Sequence, residues 1–443
     1  MKQEIIEKLE IKKLVYQGFG LGFSNSNPIF VYYAVPGDLI NAKIIYNKKK
    51  VSFAVIDELL QPGENRIKAD CEVFGSCGGC EWLNINYRAQ LLYKQSIVRE
   101  IFKKFPDNIF SDISGSTVFK HYRNKSFMPA GMVEGEPVFG IYAKNSHSII
   151  PHRACKLHPG IFDILGSAVI THIKNSNEKV YNEVNRHGNL KHIGFRYSFE
   201  TDEVLVILVT RTSKLAFTKQ LVNLLLNTYP EITGVIQNIN PEPVNTILGT
   251  RSKLLYGKNW LEDSIDNIKF RINYNSFFQI NPFIMKKLYD YVKEEISPHT
   301  VVIDAYSGIG SIGLYIADKA EQVIAIEGNE AAVKDGLKNR DLNSIVNIKF
   351  IYGKVEDKIK SVCSQNKVDS IVFDPPRKGL EKAVIEIVSR QRIKKIIYVS
   401  CNPATQIRDI ELLIENGYSV KSIKPFDMFP NTYHIENVVV LEL

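Results

Sequence analysis

Three observations predict an α/β chain in three parts, with a doubly wound parallel sheet at its carboxyl end. The 443 residues exceed what one ordinary hydrophobic core holds, so more than one domain is expected. Residues 1–65 read as short β-rich runs between turn signals. After residue 285, near-continuous apolar strands alternate with helical stretches, the pattern of a parallel sheet covered on both faces.

Composition sets the outer limits. Hydrophobic content of 44%, charged content of 23% and a net charge of +8 describe a globular chain for which nucleic acid is a permitted partner. No apolar run approaches the roughly 18 residues of a membrane span. The opening "MKQEIIEKLE" is acidic and polar where a signal peptide would be basic and then apolar. The reading is a cytoplasmic protein without a membrane segment.

In the first part, "KKLVYQ", "GFGLGF", "IFVYYAV", "LINAKIIY" and "SFAVIDELL" are separated by "SNSNP", "PGD" and "NKKK". Five short strands at this spacing predict a small barrel of the oligonucleotide-binding type over 1–65, although other small β-domains share the pattern.

The second part, 66–275, is a central α+β segment that carries most of the cysteines. Of six in the chain, Cys71, Cys77 and Cys80 fall within ten residues. They have the spacing C-x5-C-x2-C, with Gly75, Gly78 and Gly79 allowing a tight wrap, and Cys155 offers a distant fourth thiol. In a reducing compartment this clustering points to a metal site or catalysis, not to disulfides. Four thiolates suit structural zinc or an iron–sulfur cluster, and spacing alone does not separate them. Cys363 has no partner motif and reads as a bystander. The stretch "VFKHYRNKSF" alternates Lys120, His121, Tyr122, Arg123, Lys125 and Phe127, which would supply phosphate charges and stacking faces to RNA. A strand with core aromatics would look the same. Residues 160–275 mix helical and strand patterns with no chemical motif.

The third part, 276–443, contains the chemistry. In "VIDAYSGIGSIGL" a strand ends at Asp304 and a turn with Gly308 and Gly310 opens a helix, which lets backbone approach a ligand at the carboxyl edge of the sheet. The next strand ends in Glu327, about 20 residues on, where a carboxylate accepts both hydroxyls of an adenosine ribose. The loop has no Walker lysine, and "GIGSIG" lacks the full dinucleotide pattern, so an adenosine without phosphates is favoured. S-adenosylmethionine fits that description. A later strand ends in "DPPRKGL", placing Asp374 at the same edge; amino-group methyltransferases tend to carry an aromatic after the two prolines, and Arg377 stands there instead.

The next strand ends in "YVSCNPAT". Cys401 precedes a helix start, whose exposed N–H groups are expected to lower its thiol pKa. A thiolate beside a methyl donor has a clear use. C5 of a pyrimidine is a poor nucleophile, but thiolate addition at C6 makes an enolate whose C5 attacks the methyl group. A base must then remove the C5 proton, and Glu436 in "DMFPNTYHIENVVVLEL" is the candidate, in a loop that also holds Asp427 and His434. The last two strands join without an obvious helix, so an antiparallel final strand is expected.

"SFFQIN", "DAYSGIG", "DPPRKGL", "SCNPAT" and "DMFPNTYHIE", in this order and spacing, resemble the uracil-C5 RNA methyltransferase family that makes 5-methyluridine. The amino-terminal barrel resembles the TRAM domain attached to many members, so the resemblance spans essentially the whole chain. It implies a Rossmann-like methyltransferase domain over 276–443, Cys401 as nucleophile and Glu436 as base. It implies Gln279, Tyr306, Glu327 and Asp374 as contacts to S-adenosylmethionine. For Cys71, Cys77, Cys80 and Cys155 it implies a [4Fe-4S] cluster, as in ribosomal-RNA members. A tRNA-specific branch commonly lacks both cluster and TRAM domain, so the resemblance implies 23S ribosomal RNA as substrate, with tRNA as the alternative. One departure is Ser307, where members often have a cysteine that is not the nucleophile. Cytosine-C5 enzymes typically use a second cysteine in the proline loop, absent from "DPPR". A non-catalytic RNA-binding iron–sulfur protein is the reading from another class, against which Cys401, Glu436 and an intact cofactor edge argue together. Nothing demands more than a monomer.

Overall fold

The computed structural model describes residues 4–176, 178–243 and 246–443; the first three residues of the expected barrel span lie outside the described residues. The amino-terminal sheet has six strands, ordered Ile5–Glu10, Leu39–Lys48, Val51–Gln61, Asn27–Val31, Gly20–Ser24 and Lys13–Leu14. It folds around a core of Leu9, Ile11, Ile29, Val31, Ile40, Ala42 and Ala54. Five strands were expected, and the opening "IIEKLE" adds the sixth by pairing antiparallel with Leu39–Lys48. Its charges conceal it in the sequence because most of its side chains face solvent while Leu9 alone is buried.

The segment that follows packs far from its sequence neighbours. Helix Tyr87–Ile101 starts at Asn86, whose side chain accepts from Ala89 N at 2.9 Å. Its buried Ala89, Ile97 and Val98 share a core with Ile410, Leu413 and Ile423 of the carboxyl-terminal sheet and its covering helix. Residues 110 and 114 add two bridges to the edge of that same sheet, against Ile423 and Phe426.

A central seven-stranded sheet runs Arg251–Gly257, Ile232–Ile239, Val204–Thr210, Leu190–Tyr197, Lys125–Val133, Glu136–Tyr142 and Ile149–Pro151. Only Val204–Thr210 and Ile232–Ile239 pair in parallel, joined by helix Thr218–Thr228 as a parallel crossover requires. That helix and Gly160–Asn175 cover one face. Leu205, Ile207, Val209 and Ile236 on the other face join the core beneath helix Pro282–Glu295.

The carboxyl-terminal sheet also has seven strands, ordered Ile348–Tyr352, Gln322–Glu327, Val301–Ala305, Ser370–Phe373, Lys395–Ser400, Glu436–Glu442 and Ser419–Phe426. The first five are parallel. The last in sequence, Glu436–Glu442, runs antiparallel to both neighbours, as expected. The chain order reverses between Val301–Ala305 and Ser370–Phe373, and a sheet of this kind opens a ligand crevice at the carboxyl ends of those strands. Among the described residues no helix is long and apolar enough to cross a membrane.

Candidate active site

A cleft of about 1150 Å³ opens at that switch point. Gln279, Tyr306, Glu327, Asp374, Cys401 and Glu436 all line it, so residues read from six separate stretches meet in one place.

The strand Val301–Ala305 ends in a loop with Tyr306, Gly308 and Gly310 at φ of 64°, 56° and 77°. For Tyr306 this left-handed conformation is strained, and such strain concentrates where a backbone is shaped around a ligand. Asp304, buried beneath the loop, accepts from Gly313 N at 2.9 Å and holds the start of helix Ser311–Ile316. Burial pushes its carboxyl up to about 7. Glu327 accepts from Gly308 N at 2.9 Å and from Asn329 N at 2.7 Å, one bond to each oxygen. Each oxygen keeps a lone pair for a ribose hydroxyl.

Asp374 is capped by Gln279, whose Nε2 donates to Oδ2 at 3.4 Å. Burial pushes Asp374 up to about 7, and burial together with the Asp374 charge pushes Glu436 well above the carboxylate range. Cys401 is half-buried between strand Lys395–Ser400 and helix Pro403–Glu415. The expected lowering of its thiol pKa is overturned: burial, then the Glu436 and Asp374 carboxylates, push it up to about 12. The helix terminus contributes only a partial charge, which desolvation and two nearby carboxylates outweigh. Arg377 is the group that favours the thiolate, by charge and by a hydrogen bond to the sulfur.

The proline loop and the cysteine loop are tied together. Asn402 Nδ2 donates to Arg377 O at 2.9 Å, and Thr405 Oγ1 donates to the same oxygen at 3.2 Å. His434 Nε2 stands 3.4 Å from Arg377 Nη2. Burial and the Arg377 charge push His434 down to about 3, so the ring is neutral at physiological pH and accepts from the guanidinium. Asp427, the third polar residue of that loop, does not reach the cleft. Its Oδ1 accepts at 2.6 Å from Lys94, both side chains being fully buried, while Lys94 also donates to Phe429 O and His434 O. Gln90 and Asn431 add a reciprocal pair, so helix Tyr87–Ile101 grips the loop that ends in Glu436.

The basic stretch at 118–127 divides: Tyr122 and Asn124 are buried, whereas Phe119 and His121 are exposed. Tyr122 is buried and donates to Pro430 O, Lys125 is desolvated over the Phe127 ring, and Lys120 pairs with Asp70. Arg123 alone of these lines the cleft. Strand Lys125–Val133 lies inside a sheet, with Lys125 and Phe127 half-buried and Met128 to Gly131 buried.

Cys71, Cys77, Cys80 and Cys155 line a second, small pocket with Val73, Phe74, Leu83, Ile141 and Leu157. Gly79 N donates to Cys77 Sγ and Leu157 N to Cys155 Sγ, each at 3.4 Å. Four soft sulfurs on one apolar pocket, two already accepting backbone N–H bonds, fit a thiolate-ligated metal centre. Burial pushes Cys77 up to about 11 and holds Cys80 well above the ordinary thiol value. Burial also acts to raise Cys155, but the His158 hydrogen bond and charge prevail and bring it down to about 7. His158 Nε2 is held 3.0 Å from Asp163 Oδ1, and His152, Cys155 and His158 place ligand-type atoms within 4.8 Å of one another.

Sequence reasoning missed Lys94, Gln90 and Asn431 as builders of the site; each reads as an ordinary surface residue where it stands in the chain. It saw Arg377 only as the absence of an aromatic.

Residues 244–443 match the family model described as tRNA (Uracil-5-)-methyltransferase. An RNA methyltransferase of Listeria innocua is 36% identical over 448 residues, covering 100% of this chain and 99% of that one. One of Thermotoga maritima is 36% identical over 442 residues, covering 99% of each. The crystal structure of Pyrococcus abyssi tRNA (uracil-54, C5)-methyltransferase in complex with S-adenosyl-L-homocysteine shares the fold, with a TM-score of 0.78 at 24% identity, covering 98% of this chain and 99% of that one.

Proposed function

Since the chain belongs to the uracil-C5 RNA methyltransferase family and is an S-adenosylmethionine-dependent RNA methyltransferase, we propose that it methylates C5 of a uridine in 23S ribosomal RNA through a covalent adduct on Cys401. The observation that carries this reading is the convergence of Cys401, Glu436 and Arg377 on the cleft that also holds Gln279, Tyr306, Glu327 and Asp374.

The cofactor supplies an electrophilic methyl group. Glu327 would hold the ribose hydroxyls, Tyr306 would shape the loop around the adenosine, and Asp374 with Gln279 would meet the polar end of the amino-acid moiety. The Cys401 thiol gives up its proton to solvent water, Arg377 favours the thiolate that remains, and its sulfur adds to C6 of a uridine flipped out of its loop. The electron pair moves to C5, which takes the methyl group. Glu436 then accepts the C5 proton, the C5–C6 double bond re-forms and the sulfur leaves C6. A raised pKa suits Glu436 to this step, because the carboxylate is a stronger base once ionised.

Residues 1–65 are assigned to gripping RNA, 66–275 to a central part bearing the metal centre, and 276–443 to methyl transfer, in a chain that acts as a monomer in the cytoplasm. Cys71, Cys77, Cys80 and Cys155 would hold a [4Fe-4S] cluster whose role is to brace this part of the molecule. Iron and acid-labile sulfide in the anaerobically purified protein support that assignment; zinc alone overturns it.

The tRNA alternative rests on the family description and on the Pyrococcus enzyme's fold. Mass spectrometry of RNA from a strain lacking the gene, complemented with the wild type or Cys401→Ala, separates the two. Loss of 5-methyluridine at one position of 23S RNA, restored only by the wild type, is the expected result. Loss from tRNA instead would keep the mechanism and change the substrate.

A further inference from the structure

The amino-terminal sheet reaches the wall of the active site through one side chain. Tyr16 lies in the turn between Lys13–Leu14 and Gly20–Ser24, and its hydroxyl donates to Asn402 Oδ1 at 2.7 Å. Burial pushes the phenol up to about 12, so it is protonated and a donor across the physiological range. Asn402 directly follows Cys401, and its Nδ2 donates to Arg377 O at 2.9 Å. The two bonds use both ends of one amide, linking the phenol, the residue after the cysteine, and the backbone of the arginine that favours the thiolate.

The turn carrying Tyr16 is itself wedged in place. Gly18 has φ of +87°, and a Cβ there would stand 3.0 Å from Tyr433 Cβ, so only glycine allows this approach to the loop that leads to Glu436. Trp82 Nε1 donates to Gly18 O at 3.2 Å, and the Tyr16 and Tyr433 rings meet edge to face at 6.2 Å. Tyr16 is not among the residues that line the cleft, and neither is Asn402, whereas Cys401 and Arg377 both are. Tyr16 therefore stands behind the reacting groups, out of reach of a substrate in the cleft.

We propose that Tyr16 is a positioning residue for methyl transfer, acting through Asn402 to hold Cys401 and Arg377 in register. This deepens the proposed function and rests on Cys401 being the nucleophile. The peptide before Cys401 is fixed by strand Lys395–Ser400; the peptide after it is the first outside the ladder, its N–H donates to Ser400 Oγ at 3.1 Å, and the Asn402 side-chain amide is held at both its oxygen and its nitrogen. Small displacements of a reacting group carry large rate costs, so one hydrogen bond here acts on the chemical step more than on RNA affinity.

The test compares holoenzyme with Tyr16→Phe, Asn402→Ala, the double variant and Cys401→Ala, using total RNA from the deletion strain as methyl acceptor and labelled S-adenosylmethionine. Tyr16→Phe keeps the ring packed on Tyr433 and loses one oxygen, which leaves the fold intact. The expected result is a roughly tenfold lower rate at saturating RNA, a half-saturating RNA concentration within twofold of wild type, and a double variant no slower than the slower single one. An unchanged rate overturns the proposal. So does a rise in the half-saturating concentration alone, which would place Tyr16 in RNA binding, or a double variant whose losses multiply. If Tyr16→Phe fails to fold, Asn402→Ala alone decides, since a wild-type rate there removes the path. Turnover by Cys401→Ala overturns the nucleophile assignment and the positioning role with it.

Discussion

Cys155 and Cys401 are both substantially buried thiols with a carboxylate nearby, yet one is brought down to about 7 and the other pushed up to about 12. Burial acts in the same direction at both. The difference lies in what intervenes between sulfur and carboxylate. At Cys155 the His158 ring stands between, held by Asp163, so the thiol faces a cation. At Cys401 the Glu436 and Asp374 carboxylates act on the sulfur directly, and only the Arg377 guanidinium opposes them. The first arrangement suits a permanent ligand, which must be a thiolate. The second holds the sulfur as a thiol in the resting protein, so any attack from Cys401 requires that proton to be lost first, with Arg377 as the group that favours the thiolate.

The largest effects should divide cleanly between the two sites. Cys401→Ala is expected to lower turnover by about four orders of magnitude or more while bound metal stays at the wild-type level, read by methyl incorporation and metal analysis. Glu436→Gln should cost about a thousandfold and leave the covalent adduct accumulating, visible as a protein–RNA band that survives denaturing electrophoresis. Cys155→Ser should do the reverse of Cys401→Ala: bound metal falls by half or more while purified protein that retains metal turns over normally. Loss of turnover in the metal-loaded Cys155→Ser protein would mean the two sites are not separable.

Lys94→Met sharpens the contrast from the fold side. It leaves the Asp427 charge buried without a partner beneath the Glu436 loop, and is expected to cost about 3–5 kcal/mol in denaturant unfolding. Asp427→Asn in the same chain should recover much of that loss.

The smallest effect is a pH dependence. Asp304 has a folded value near 7 against 3.8 for the ordinary group, so the folded state holds more protons than the unfolded state between those values. Its contribution to stability is complete below the unfolded value and is lost as pH rises through the folded one. Asp304→Asn should therefore gain on the wild type as pH rises from 4 to 7, measured as the difference in thermal midpoints. A difference flat with pH would remove the buried-carboxyl account of this edge.

The carboxyl edge of the parallel sheet was the most legible part of the chain. Asp304 and Glu327 stand in the last residues of an apolar strand and Asp374 and Cys401 directly follow one, and strand ends in a parallel sheet fall on one edge whatever the loops do. The four cysteines were legible as a set because three stand together in sequence. The stretch at 118–127 was only half legible, because an alternating pattern does not say which side chains the fold will cover: Tyr122 is buried, whereas His121 is exposed. The thiol pKa of Cys401 misled for a related reason: a helix start is visible in sequence, whereas the two carboxylates across the cleft arrive from other strands.

What the sequence determined by itself was therefore the order of strands and the chemistry at their ends, since both are local properties of short stretches. Tertiary structure alone decided how those ends are held. Tyr16 meets Asn402 across 386 residues, and Lys94 meets Asp427 across 333. Neither contact leaves a trace in composition or spacing, because a buried hydrogen bond depends on which surfaces the packed sheets bring together, and only the folded chain fixes that.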